Sequence, residues 1–171
     1  MSIKQSLYKS INPLTNKLFH TSAMDTPAEI ESKLAKAHEY FIKTRRLGQS
    51  AMEERFDKLS NVHALLEQRL PEYAELMTLE MGKPLAQAEA EVLKCAGHIE
   101  WSIKHSIDLC KDHPLKTRQH KAFIAYDPVG PVLDIVPWNF PFWMPFKSLV
   151  PPLILGNPIL LKHAPSTPLC A

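Results

Sequence analysis

The sequence predicts an α/β fold in which a run of helices precedes the first strands of a parallel sheet. Three observations predict it. Charge is unevenly placed: residues 122–171 carry only Asp127, Asp134, Lys147 and Lys162, and the remaining charged side chains lie before them. Apolar positions recur at helical spacing up to about residue 110 and gather into short runs after residue 120. Ten of the 15 prolines fall in that back stretch, where they punctuate the runs. Overall, 45% hydrophobic and 22% charged residues make an ordinary globular mixture.

The opening residues, Ser10-Ile11-Asn12-Pro13-Leu14-Thr15-Asn16-Lys17, contain an Asn-Pro turn signal and predict a small hairpin. Thr26-Pro27-Ala28-Glu29 is a capping box with proline at the first helical position. Ile30, Leu34, Ala37 and Phe41 then form one apolar stripe, and Gly48 is expected to end the segment. Ser50 with Glu53 repeats the capping box ahead of Met52, Phe56, Leu59, Val62 and Leu66. Pro71 starts a third helix through Tyr73, Leu76, Met77 and Leu79, stopped by Gly82. Pro84 opens a fourth, with Leu85, Ala88, Val92, Cys95, Ile99 and Ile103 inward.

Lys121–Tyr126 is a strand candidate terminated by Asp127-Pro128. Pro131–Val136 is a second, with too few charges for an exposed strand, and Ile159–Leu161 running into Lys162 is a third. Between the last two, Phe142–Leu155 is too long for a turn and reads as a helix kinked near Pro151-Pro152, because each proline removes a backbone donor. Strand, helix and strand make a βαβ unit.

Several function classes are excluded or disfavoured. A net charge of +2 gives no electrostatic case for nucleic acid. No two of the five glycines are close enough for GxGxxG or a Walker loop. Cys95, Cys110 and Cys170 lack metal-ligand spacing, so neither a disulfide framework nor a metal centre is expected, and three reduced thiols point to the cytosol. No run approaches the roughly 18 apolar residues of a membrane span. The N-terminus MSIKQSLYKS is basic and hydroxyl-rich, which leaves a mitochondrial transit peptide as the weaker alternative location.

Two clusters carry chemistry. Ile135-Val136-Pro137-Trp138-Asn139-Phe140-Pro141 puts an uncharged amide donor at the C-terminal end of a strand, where open α/β sheets bind ligands. Such an amide suits an oxyanion that appears only during reaction, although asparagine also caps helices well. Gly156-Asn157-Pro158 leads through a strand to Lys162, a cation at the same sheet edge. It suits a ribose or phosphate, or equally a lysine whose stem covers a strand end.

PWNFP, an apolar helix, then GN and LK, with Lys162 falling 23 residues after Asn139, resembles the NAD(P)-dependent aldehyde dehydrogenase superfamily. LEMGKPLAQAEAEV (Leu79–Val92) and SINPLTNK are similar to stretches of the same enzymes, and LLKHAP is close to the succinate-semialdehyde dehydrogenase branch. The resemblance runs from about Ser10 to Ala171. It implies a Rossmann-like parallel sheet, here incomplete, with residues 1–9 an N-terminal extension, 10–171 a partial cofactor-binding domain and the strands near 113–128 an oligomerisation element. Asn139 would donate to the thiohemiacetal oxyanion. Ile135, Val136, Pro137 and Trp138 would line the NAD or NADP cleft. Lys162, with His163, Ala164 and Pro165, would meet the adenosine ribose or its phosphate. Phe140, Trp143 and Met144 would line the aldehyde tunnel. Lys147 stands where the semialdehyde branch has an arginine that grips the substrate carboxylate, keeping the charge without the bidentate fork.

Three positions depart from the resemblance. His163 replaces a common proline, Pro165 a glutamate that binds both ribose hydroxyls in NAD-preferring members, and Ser148 a lysine. Family members are more than twice as long, and their nucleophilic cysteine and base lie beyond residue 171. None of the three cysteines matches the nucleophile motif. The implied function is the N-terminal part of an oxidoreductase that oxidises an aldehyde, succinic semialdehyde above all, to the acid, inactive by itself and part of a homo-oligomer or bound to a partner subunit. The alternative is a non-catalytic interaction protein that docks onto full-length subunits. Nine residues follow Lys162, too few for another crossover and strand, so the apolar face of the two parallel strands is expected to stay open.

Overall fold

The structure is a computed structural model that describes residues 6–45, 48–118 and 120–171; the first five residues of the N-terminal extension lie outside it. The chain enters as a hairpin of β1 (Leu7–Asn12) and β2 (Lys17–Ala23), antiparallel, with a register shift between Ser10 and Ile11. The Asn12 side chain accepts from the amides of Leu14 and Thr15 at 3.0 Å each and closes the turn. That is the mechanism behind the Asn-Pro signal.

α1 (Pro27–Thr44) starts with the full capping box at Thr26 and Glu29. Of its stripe, Phe41 alone is buried; Ile30 and Leu34 are exposed. α2 (Gly48–Gln68) begins at the glycine expected to end the previous segment. The side chain of Ser50 lies outside the described ones, so its capping box does too. α3 (Leu70–Met81) carries Pro71 in its first turn and ends at Gly82 in the left-handed conformation, φ 78°. A Cβ there would also meet Pro13 of the hairpin at 2.9 Å, which leaves glycine the residue that fits. α4 (Leu85–Cys110) is the longest helix; Leu85, read as inward, is exposed because it lies in the first turn, before the helix passes under its neighbours.

The core sits where α2, α3, α4 and α5 (Trp143–Leu155) meet, around Met77, Val92, Cys95, Ile99, Val150 and Ile154. β3 (His113–Leu115) and β4 (Ala122–Ile124) form a second antiparallel hairpin, shorter than the six-residue strand candidate. β5 (Val132–Ile135) and β6 (Ile159–Lys162) pair in parallel with α5 between them in sequence, the expected βαβ unit. α5 runs through both internal prolines to Gly156, φ 95°.

One expectation about β5 is corrected. Its alternation turns Asp134 toward α5, where Ser148 Oγ donates to Oδ2 at 2.6 Å, and leaves Leu133 and Ile135 62% and 70% exposed. The shortage of charge therefore marks an open apolar face of a two-stranded ladder, not a strand covered on both sides.

Candidate functional site at the carboxyl ends of the parallel strands

Strand register builds the site. Ile135 lies opposite Lys162, so the segments 136–141 and 163–168 leave the sheet side by side at its C-terminal edge. Asn157, buried in the turn before β6, fixes the other end: its Oδ1 accepts from the amides of Val129 and Gly130 at 2.7 and 3.0 Å, and its Nδ2 donates to the Pro152 carbonyl.

In the first segment Val136 is buried, and Pro137, Trp138, Asn139 and Phe140 are exposed. Trp138 is 55% exposed, and Phe142 rather than Asn139 occupies the N-cap of α5. The amide of Asn139 makes no hydrogen bond to any described residue. In the second segment the Lys162 ammonium donates to the His163 carbonyl at 2.6 Å and lies 5.6 Å from the Tyr8 ring centroid. The His163 ring meets Tyr8 edge-on at 5.1 Å and bonds the Ala164 carbonyl at 2.8 Å. The hairpin thus abuts the lysine, a neighbour that the sequence did not suggest.

The candidate tunnel residues divide. Trp143 and Met144 are partly buried on the first turn of α5, and Lys147 is exposed on the next. Trp143 is flanked by two α4 groups: Lys94 Nζ lies 3.9 Å from its ring centroid and the His98 ring is 5.5 Å away, edge-on. Burial pushes His98 below the usual histidine range, partly offset by the Lys147 backbone. An apolar depression of about 330 Å³ opens between α2, α3 and α5, beside Phe142 and Cys170; neither Asn139 nor Lys162 lines it.

Sequence reasoning missed the groups that hold these segments. Lys83, between α3 and α4, pairs with Glu91 of α4, and both are buried. Lys83 also donates to the Asn139 carbonyl at 2.9 Å and lies 4.1 Å from the Phe140 ring centroid. Glu91 Oε1 accepts from the amides of Phe142 and Trp143 at 2.9 Å each. Glu80 of α3 accepts from the amides of Leu169 and Cys170 at 3.0 and 2.9 Å. The available signal was one ionisable residue on the inward face of each of two helices, Glu80 of α3 and Glu91 of α4, with Lys83 in the turn between them.

None of the thiols is activated. Burial pushes the Cys95 thiol up to about 12 and raises Cys110; burial and then the Glu80 hydrogen bond raise Cys170. Among the described residues no cluster of His, Cys, Asp or Glu could hold a metal ion, and no helix is long and apolar enough to cross a membrane.

The aldehyde dehydrogenase family profile matches residues 2–171. A probable NADP+ succinate-semialdehyde dehydrogenase of Synechocystis sp. is 41% identical over 162 residues, covering 95% of this chain and 35% of that protein. An NAD(P)+ succinate semialdehyde dehydrogenase of Escherichia coli is 37% identical over 162 residues, covering 95% and 34%. The crystal structure of succinic semialdehyde dehydrogenase from Streptococcus pyogenes, in complex with NADP+, superposes with a TM-score of 0.92 at 33% identity, covering 96% of this chain and 36% of that one. The chain therefore spans about a third of the length of the relatives it matches.

Proposed function

This chain belongs to the aldehyde dehydrogenase family, and from that premise we propose that it is the N-terminal portion of an enzyme that oxidises succinic semialdehyde to the acid with NAD or NADP. One observation supports the reading: the parallel register sets Ile135 opposite Lys162, so the segment that carries Asn139 leaves the sheet at the edge where Lys162 stands. That edge suits a dinucleotide, since it offers the exposed Trp138 ring, main-chain groups and the Lys162 cation. A nicotinamide cofactor would supply the hydride acceptor there.

In this proposal Asn139 donates to the oxyanion formed when a thiolate adds to the aldehyde. Ile135, Val136, Pro137 and Trp138 line the cofactor cleft, and Lys162, His163, Ala164 and Pro165 meet the adenosine ribose or its phosphate. Phe140, Trp143 and Met144 face the aldehyde, and Lys147 holds its distal carboxylate. Residues 10–171 form part of the cofactor-binding domain, 1–9 an extension and 113–128 the contact to another subunit. The nucleophile comes from elsewhere, because the local surroundings of Cys95, Cys110 and Cys170 all disfavour a thiolate.

The test is Asn139→Ala in the whole enzyme that carries this segment. Loss of one oxyanion donor should lower kcat by about 10²–10³ with aldehyde KM little changed. An unchanged kcat would refute the role. The chain by itself should turn over no aldehyde with NAD or NADP.

A further inference from the structure

We propose that Lys83 and Glu91 are positioning residues for Asn139, an inference that rests on the oxyanion reading above. The amide of Asn139 is exposed and held by no described residue, so its direction depends on the main chain that carries it. Two buried side chains grip that main chain. Lys83 Nζ donates to the Asn139 carbonyl at 2.9 Å and lies over the Phe140 ring. Glu91 pairs with Lys83 through Oε2 and accepts from the amides of Phe142 and Trp143 through Oε1. Residues 139–143 are thereby tied at both ends to the α3–α4 junction.

The arrangement is directional. Lys83 lies in the three-residue connection fixed by the left-handed Gly82, and Thr78 Oγ1 donates to the Lys83 carbonyl at 2.8 Å. Glu91 sits one turn before Cys95 on the buried face of α4. Glu91 is therefore held by a helix and Lys83 by the capped turn between two helices, and both bond the segment after β5. A buried ion pair contributes little net stability compared with apolar residues of similar size. What it supplies here is a fixed main-chain geometry, and a misplacement on the order of 1 Å at a reacting group can cost about 10²-fold in rate.

Two arms test the idea. In the whole enzyme, the charge-neutral pair Lys83→Met with Glu91→Gln should lower kcat about 10–100-fold, with the KM for aldehyde and for NADP+ within about threefold. In an Asn139→Ala background the same pair should cost nothing further, because its effect passes through Asn139. Lys83→Arg, which keeps a charged donor, should recover part of the loss. Full additivity in the Asn139→Ala background, or wild-type kcat in the pair, overturns the inference and leaves the role of Asn139 standing. An unaffected Asn139→Ala enzyme instead overturns the oxyanion reading. The second arm uses the 171-residue chain and hydrogen exchange. Lys83→Met should speed exchange at the Phe142 and Trp143 amides, which donate to the Glu91 carboxylate that Lys83 holds, about tenfold or more while Val92 and Ile99 stay protected. Unchanged exchange at Phe142 and Trp143 overturns the inference even if the double variant fails to fold.

Discussion

The region where α2, α3, α4 and α5 meet and the two strand pairs β3–β4 and β5–β6 are built from equally apolar residues to opposite effect. Met77, Val92, Cys95, Ile99 and Val150 have no solvent exposure at all. Phe123, Ile124, Leu133 and Ile135 are roughly half exposed or more. The helices close a core because each stripe meets another stripe at a crossing. The strand pairs have two members each, and a two-stranded ribbon cannot bury a face without something laid across it. Apolar content therefore says little about burial until the partner of each face is known. In this molecule one region is complete within its own residues and the other presents surface.

The largest test of that division is cavity formation. Ile99→Ala or Met77→Ala should each cost about 2–5 kcal/mol of unfolding free energy, because the surrounding helices cannot close over the lost volume. Phe123→Ala and Leu133→Ala should stay within about 0.5 kcal/mol, since they remove atoms that water already touches. Urea titration followed by circular dichroism measures both. Similar losses at Ile99 and Leu133 would break the comparison, because they would mean that β5 is buried against something in solution.

A second test reads the strand pairs by association. The open edges and apolar faces of β5–β6 and β3–β4 favour pairing with another chain. Leu133→Thr with Ile135→Thr, and separately Phe123→Thr, should reduce self-association on size-exclusion chromatography with little change in the unfolding midpoint. Whichever substitution gives the larger shift identifies the stickier pair. A wild-type chain that runs as a monomer at every concentration would remove the role assigned to both surfaces.

How much of this was legible in the sequence follows the same line. The four helices, the left-handed Gly82, the Thr26 box and the βαβ unit are local events, set by caps, turns and periodicity that a single strand of text displays. What the sequence did not display was which faces find partners. Ile30 and Leu34, four residues apart, and Leu59 and Leu66, seven apart, both sit at helical spacing, yet the first pair is exposed and the second buried. Nor did periodicity reveal that Lys83, Glu91 and Glu80 face inward, because their bonds go to main-chain groups more than 50 residues away. Pro165 and His163 could be placed by motif, but the contact of His163 with Tyr8 depends on how the hairpin folds back.

The smallest expected effect concerns α1, which buries only Phe41 and so relies on its cap more than on packing. The Glu29 carboxyl is held below the usual glutamate range, first by the Thr26 amide, which donates to it at 2.7 Å, and then by the Thr26 hydroxyl at 2.8 Å. A depressed folded-state pKa stabilises the helix end above the unfolded value, about 4.3 for glutamate, and that contribution fades as pH falls through the lowered folded value. Glu29→Gln should therefore flatten the acid side of the helix-unfolding curve slightly and leave it unchanged where both forms lack the charge. Because hydrogen bonds, rather than the charge of Lys33, are the leading cause, the depression of Glu29 should persist in 1 M salt, where the Debye length is only about 3 Å. Glu54, whose depression comes from Lys58 through a hydrogen bond and then charge, should lose more of its shift under the same conditions. Carboxyl-carbon NMR titration at low and high salt reads both groups in one experiment. Equal salt sensitivity at Glu29 and Glu54 would show that the cap is electrostatic, and α1 would then lack the local anchor that distinguishes it from the packed helices.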